Sequence, residues 1–261
     1  MKILFIGDVV GAIGREMVMK YVPILKDSHG LDLVIANGEN SAHGKGITKK
    51  IYDQLIQAGV DVITMGNHTF SKNDIYTFID EADRLVRPMN MEPTEYGKST
   101  CIINVKGKNV AVSNVCGEVF MHNVIDSPFA CMEDILEASD AHIHVVDFHG
   151  EATSEKIAFA YRFAGEIQAV VGTHTHVQTA DERIIQGTAT ITDLGMCGAY
   201  ESVLGRDIDE ILTRFTTNEK TKYKLASGPG IFCGAIVTID DISNQATHIE
   251  RIRICPEETL L

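Results

Sequence analysis

Two histidines one residue apart, His174 and His176 in Gly172-Thr173-His174-Thr175-His176, follow the apolar run 167–171. Imidazole is among the commonest ligands for Zn, Fe and Mn. If the backbone stays extended through the pair, both rings leave one face, because strand side chains repeat every second residue. The spacing alone is ordinary surface decoration, so its meaning rests on the other donors in the chain. Four further apolar runs end in such donors. Asp8 follows 3–6, Glu39 and Asn40 follow 33–36, Asn67 and His68 follow 62–65, and His149 follows 144–148. Singly, Asp or Asn beside Gly is turn chemistry. Together, five strands bring carboxylate, amide or imidazole to the carboxyl-end rim where α/β sheets bind ligands.

A mixed donor set of this kind suits Fe or Mn, with Zn also accommodated, better than Ca, which takes oxygen ligands. It fits two divalent or trivalent ions about 3.5–4 Å apart across a shared carboxylate, which lowers the pKa of a bound water and clamps phosphoryl oxygens. Other polar residues fit plainer roles. His142 and His144 repeat the histidine spacing, but at the start of their strand and so at the opposite edge. His43 and Lys45 lie in the glycine-bearing loop 41–46 and read as solvated, with a phosphate contact the alternative for Lys45. Ser41, Thr173 and Thr175 could touch ligands or substrate. Asp147 shares its strand face with His149, where it could orient an imidazole or close a core edge.

The elements that must carry these residues alternate early in the chain. Strand, turn and helix follow one another at 2–6 and 15–27, then strands at 31–36 and 60–65, a helix capped by Thr48, and another helix at 72–82 capped by Ser71. The turn Gly7, Gly11, Gly14 does not match a dinucleotide fingerprint. Later, 100–105 and 109–115 read as a hairpin across Lys106-Gly107-Lys108, and Pro128 opens a helix. Strands are expected at 141–148, 167–171, 182–186, 188–193, 231–239 and 246–254, with helices at 154–164 and 207–216. No linker or repeat interrupts the chain, so residues 1–261 are expected to form a single α/β domain with two mixed sheets packed face to face.

The 261 residues carry a net charge of −13, which disfavours a long nucleic-acid duplex as partner. A small phosphate ester remains compatible, because bound metal reverses the local sign. The six cysteines are scattered without a C-x-x-C pair and read as buried free thiols. The first apolar run is too short for a signal peptide and none is long enough to span a membrane. A soluble cytoplasmic protein without membrane association is expected.

Gly7-Asp8, Gly38-Glu39-Asn40, Gly66-Asn67-His68, His149 and Gly172-Thr173-His174-Thr175-His176 occur in the order found in the calcineurin-like metallophosphoesterases. The chain resembles their bacterial YmdB-like branch most, through Asn37-Gly38-Glu39-Asn40, through Asp147-Phe148-His149 with the following 151–156, and through Gln178-Thr179-Ala180-Asp181. The wider superfamily has D-x-H in its first motif, where this chain has Val10, and Asp where this chain has Glu39. The resemblance implies a four-layer α/β/β/α sandwich. It implies Asp8, Asn40 and His176 on one metal, Asn67, His149 and His174 on the other, and Glu39 between them. His68 would assist departure of the ester oxygen, with a metal-bridging hydroxide as the nucleophile. The implied activity is hydrolysis of small phosphodiesters, including 2′,3′-cyclic nucleotides, by a homo-oligomer. A phosphomonoesterase or nucleotidase using the same site, or a metal-binding regulatory protein with weak turnover, are the alternatives.

Overall fold

In strand β1 (Lys2–Ile6) successive side chains serve two different cores. Ile3 and Phe5 join one buried cluster, Leu4 and Ile6 another. The same alternation holds in β3 (Leu33–Asn37), where Leu33 and Ile35 face one way and Val34 and Ala36 the other. Both faces of the sheet are therefore covered, as a parallel sheet requires. The computed structural model describes residues 1–217 and 219–256.

The first sheet has eight strands. Its path runs β2 (Asp8–Val9), β12 (Met196–Ala199), β13 (Gly230–Ile239), β1, β3, β4 (Val62–Thr64) and β5 (Leu85–Val86), with β14 (Ala246–Ile254) alongside β13. Strands β1, β3, β4 and β5 are parallel, and β13 is antiparallel to β1. The second sheet runs β10 (Arg183–Ile185), β11 (Thr188–Ile191), β9 (Ala169–Thr173), β8 (Ile143–His149), β7 (Lys108–Cys116) and β6 (Thr100–Val105). Its inner strands are parallel and its two edge strands antiparallel.

Helices α1 (Gly11–His29) and α2 (Lys49–Gln57) cover the outer face of the first sheet. Helices α3 (Pro128–Glu137) and α4 (Thr153–Arg162) cover the second, where Phe148 and Phe159 meet edge to face at 4.9 Å. The result is the expected α/β/β/α sandwich. Val62, Val145, Ala169 and Val171 belong to the inter-sheet cluster. Two residues further along the same faces stand Thr64, Asp147 and Thr173, and beyond Ile35 stands Asn37, all buried. The apolar layer between the sheets therefore ends in a polar one at the carboxyl ends of the strands.

Several local expectations differ from the structure. Residues 72–82 form two 3₁₀ turns, Asn73–Thr77 and Ile79–Glu81, rather than one helix capped by Ser71. The Asp74 carboxylate accepts the backbone N–H of Lys49 and the Thr77 hydroxyl donates to the Asp74 carbonyl, so local side-chain bonds compete with helix propagation. Helix α1 starts at Gly11, earlier than Arg15, because the Asn40 carbonyl accepts the Gly11 N–H. The cysteines are free, five buried and Cys255 half-buried. No helix among the described residues is long and apolar enough to cross a membrane.

Gly172 shows how tightly the second sheet closes beside the site. A Cβ there would stand 1.8 Å from the Thr192 carbonyl oxygen, a backbone atom that cannot rotate away. Gly172→Ala is expected to cost at least the ~1–3 kcal/mol of ordinary overpacking. The check is the urea midpoint, and an unchanged midpoint would contradict the packing.

Candidate metal centre

Each strand that ends at the rim positions its donor by a different local device. Asp8 lies on β2, which pairs in parallel with β12 in the register Met196↔Asp8. Glu39 follows β3 in a turn whose first bond is donated by the Glu39 N–H to Asn37 Oδ1, at 3.1 Å. Asn67 and His68 follow β4 across Gly66, where a Cβ would stand 2.4 Å from Glu39 Oε2 and from His149 Nε2. Only glycine leaves room there for the carboxylate and the ring.

His149 is the last residue of β8. Strand β9 stops at Thr173, and His174 and His176 have φ of 99° and 65°. The extended backbone expected through the histidine pair is therefore absent, and the rings do not share a strand face. Positive φ at two non-glycine residues costs of order 1–3 kcal/mol each and must be held by its surroundings. The His174 N–H donates to Asp8 Oδ2 and the Thr175 N–H to Asp193 Oδ2, each at 3.1 Å. Buried Lys156 completes the clamp, its Nζ donating to the Thr173 carbonyl at 2.8 Å and pairing with Asp193 at 3.1 Å.

The hydrogen bonds fix how each imidazole presents its nitrogens. Asp147 accepts from Thr173 Oγ1 at 2.6 Å, from Thr64 Oγ1 at 2.5 Å and from Asn37 Nδ2 at 3.0 Å. The single Thr173 hydroxyl proton is thus committed, so His149 Nδ1–H donates to Thr173 Oγ1, at 2.9 Å. In neutral His149 the lone pair then sits on Nε2. That atom faces Asn67 Oδ1 at 2.9 Å, His174 Nδ1 at 3.1 Å and Glu39 Oε1 at 3.3 Å. His174 turns its other nitrogen to Glu151 at 3.2 Å, which leaves Nδ1 as an inward lone pair. His176 Nδ1–H donates to the Leu204 carbonyl at 3.1 Å, and its Nε2 faces Asn40 Oδ1 at 3.2 Å and Asp8 Oδ1 at 3.9 Å. Asn40 donates its amide Nδ2 to the Gly44 carbonyl, so its oxygen is the atom turned inward.

Two groups of lone pairs thus point at one another across short gaps. Asp8 Oδ1 is buried and has no hydrogen-bond partner. Burial pushes the Asp8 carboxyl up to about 7, against the pull of His176 and His149. Burial also tends to raise Glu39, but His149 beside it and then His68 outweigh that and hold it at about 2. His149 is raised to about 9, because Glu39 and then Asp8 overcome the effect of burial. Burial and the adjacent His149 lower His174 to about 3. Without other cations, a proton on His149 balances the cluster. Metal ions match the donor set better, since ligand atoms of Glu39, His149 and His174 all lie within 4.8 Å of one another.

His68 stands at the edge of this cluster. Its backbone N–H donates to Glu39 Oε2 at 2.9 Å, its Nδ1 lies 3.3 Å from Ser71 Oγ, and burial lowers its pKa. Its side chain lines a pocket of about 360 Å³ together with Glu39, Asn40, His174 and His176. Ser41 does not reach that pocket as expected. It is fully buried and donates its hydroxyl to the Gly38 carbonyl at 2.7 Å. Thr175 likewise serves the turn through its backbone and does not line the pocket.

Residues 4–252 match the model of the YmdB-like protein family. The chain belongs to that family. A 2′,3′-cyclic-nucleotide 2′-phosphodiesterase of Bacillus subtilis (strain 168) is 49% identical over 257 residues, covering 97% of each chain. Among solved structures, a novel phosphatase of Mycoplasma pneumoniae superposes with a TM-score of 0.93 at 35% identity, covering 98% of this chain and 93% of that one. A hypothetical protein from Thermus thermophilus gives 0.91 at 37% identity, covering 98% and 99%. Glu151, Lys156 and Asp193 make contacts at the candidate centre for which the sequence reading gave them no role. Asp193 is the last residue of the strand expected at 188–193, and asking what that strand end delivers would have found it.

Lys156→Met leaves Asp193 buried without its cation, a loss of about 3–5 kcal/mol by denaturant unfolding. The variant should also retain less metal, because the turn carrying His174 and His176 loses its clamp. Adding Asp193→Asn should recover part of the stability.

Proposed function

We propose that the protein is a two-metal phosphodiesterase acting on small phosphodiesters, 2′,3′-cyclic nucleotides foremost. The observation that carries this reading is the disposition of the three imidazoles. Each spends its outer nitrogen on a protein oxygen and turns the other toward an amide oxygen, a carboxylate or a second ring. Asp8, Asn40 and His176 would hold one ion, Asn67, His149 and His174 the other, with Glu39 between them. Fe or Mn suits the donors, and Zn is accommodated. Such ions supply a water deprotonated near neutral pH and neutralise phosphoryl oxygens.

The chain's own groups account for the rest. Asp147 and Thr173 hold the His149 tautomer, and Glu39 fixes His68 at the pocket wall through its backbone N–H. Water adds to phosphorus, one ribose P–O bond breaks, and His68 delivers a proton to the leaving oxygen. Burial lowers the His68 pKa in the free enzyme. An anionic diester beside the ring acts in the opposite direction and favours the protonated donor when it is needed.

Glu39→Gln should remove metal and turnover together while the chain stays folded, read by elemental analysis and a 2′,3′-cyclic AMP assay on one sample. His68→Ala should keep both metals and lose about 10²–10⁴ in kcat. A folded Glu39→Gln protein with full metal and full turnover would sink the bridging role. Loss of metal from His68→Ala would make His68 a ligand.

A further inference from the structure

Besides the candidate metal ligands, the pocket is lined by loop 41–46 and by the segment beyond β12, and this part of the lining is cationic. Lys45, Arg206 and Arg214 stand there with Tyr223. Arg206 is neutralised locally, its guanidinium contacting both carboxylate oxygens of Glu210 at 2.6 and 2.7 Å. It also lies over the Tyr223 ring at 4.7 Å, with Lys45 over the same ring at 5.7 Å. Among the described residues no carboxylate lies within 4 Å of Lys45 or Arg214. Lys45 lines the same pocket as His68, so its charge faces the reacting end.

A cyclic phosphodiester carries one negative charge, and the metal centre answers that charge. We infer that Lys45 and Arg214 form a second anion subsite, and that the preferred substrate is a nucleoside 2′,3′-cyclic phosphate bearing another phosphate on O5′. This rests on the phosphodiesterase reading above. A pocket of about 360 Å³ is at the small end for ligand sites, so both parts of its lining lie within the span of one nucleotide. With the 2′,3′ edge at the metals, O5′ is on the far edge of the ribose and projects toward the cationic lining. Arg214 and Thr221 also border a second cavity of about 450 Å³ that Lys220 shares. The lining thus goes on beyond the first pocket with two cations, Arg214 and Lys220, and one carboxylate, Glu219, where a chain attached to O5′ could lie. The second phosphate can come from a 5′-phosphorylated mononucleotide or from the next linkage of a short RNA ending in a cyclic phosphate.

The test measures kcat/KM of the metal-loaded enzyme on adenosine 2′,3′-cyclic phosphate, on its 5′-phosphorylated form, and on the dinucleotide ApA ending in the cyclic phosphate. Wild type should prefer at least one O5′-phosphorylated substrate about ten-fold or more, the scale of one or two charge-assisted hydrogen bonds. Which of the two is preferred identifies the source of the phosphate. In Arg214→Ala and Lys45→Ala the ratio to the plain cyclic nucleotide should fall toward one. A wild-type ratio near one, or a ratio that neither variant changes, overturns the subsite while leaving the phosphodiesterase reading intact. No hydrolysis of any of the three by Mn- or Fe-loaded enzyme overturns both.

Discussion

The candidate centre depends on one buried carboxylate that is not among the donors converging on it. Asp147 receives Thr64 and Asn37 from the first sheet and Thr173 from its own sheet. These are the residues that follow the inter-sheet apolar layer on four strands, so the point where hydrophobic packing ends is also where the two sheets are tied by charge-assisted bonds. That knot does two jobs with the same atoms. It fixes the spacing of β3, β4, β8 and β9 at their carboxyl ends, and it takes the only proton of the Thr173 hydroxyl. His149 then has no choice of tautomer.

The remaining rings obey the same logic with different partners. A backbone carbonyl sets His176 and a carboxylate sets His174, and in each case the outer nitrogen is the donor. The inner nitrogens meet amide and carboxylate oxygens or one another. Converging acceptors repel, and in a low-dielectric interior the repulsion is large unless a cation sits between them. The raised His149, drawn up by Glu39 and Asp8 against its burial, expresses this shortage of positive charge, while burial raises Asp8 and burial beside His149 lowers His174. Protons relieve the shortage only in part, since one proton on His149 leaves Asp8 Oδ1 without a partner.

The strand ends were legible because they are local. A run of alternating apolar residues closed by Asp8, Glu39, Asn67, His149 or His174 announces both the strand and what it delivers. The layered architecture follows from the same alternation, with helices signalled by Thr48 and Pro128. What could not be read depends on pairing between distant segments. Strand β12 is four residues long and exists because it pairs with β2 and β13, so nothing in its own sequence marks it. The same holds for Lys156, whose role comes from a partner 37 residues away. The positive φ of His174 and His176 has a similar origin. The turn is held by Asp8 and Asp193, and the sequence Thr-His-Thr-His by itself favours continuing the strand. His142 and His144 show the limit of spacing, since the same pattern at the start of β8 lies at the far end of the strand from the centre.

Charge explains why so acidic a protein can still be built to receive an anion. Asp8 and Glu39 would repel a phosphate if they stood alone, and the surface at large would do so more weakly. Two bound divalent ions would more than cancel those carboxylates and make the floor of the pocket positive. The cationic part of the lining reaches the same sign by another route. Glu210 neutralises Arg206 and keeps it flat against Tyr223, whose ring also faces Lys45. Ring quadrupoles attract cations on their faces, so Tyr223 lowers the cost of gathering like charges beside one cavity. The rigid floor comes from strand ends, and the wall from segments after β12 and before α2. Lys45 stands in loop 41–46 and Arg214 on the helix Ile208–Thr217, so the cationic part of the lining is built apart from the strand ends that carry the floor.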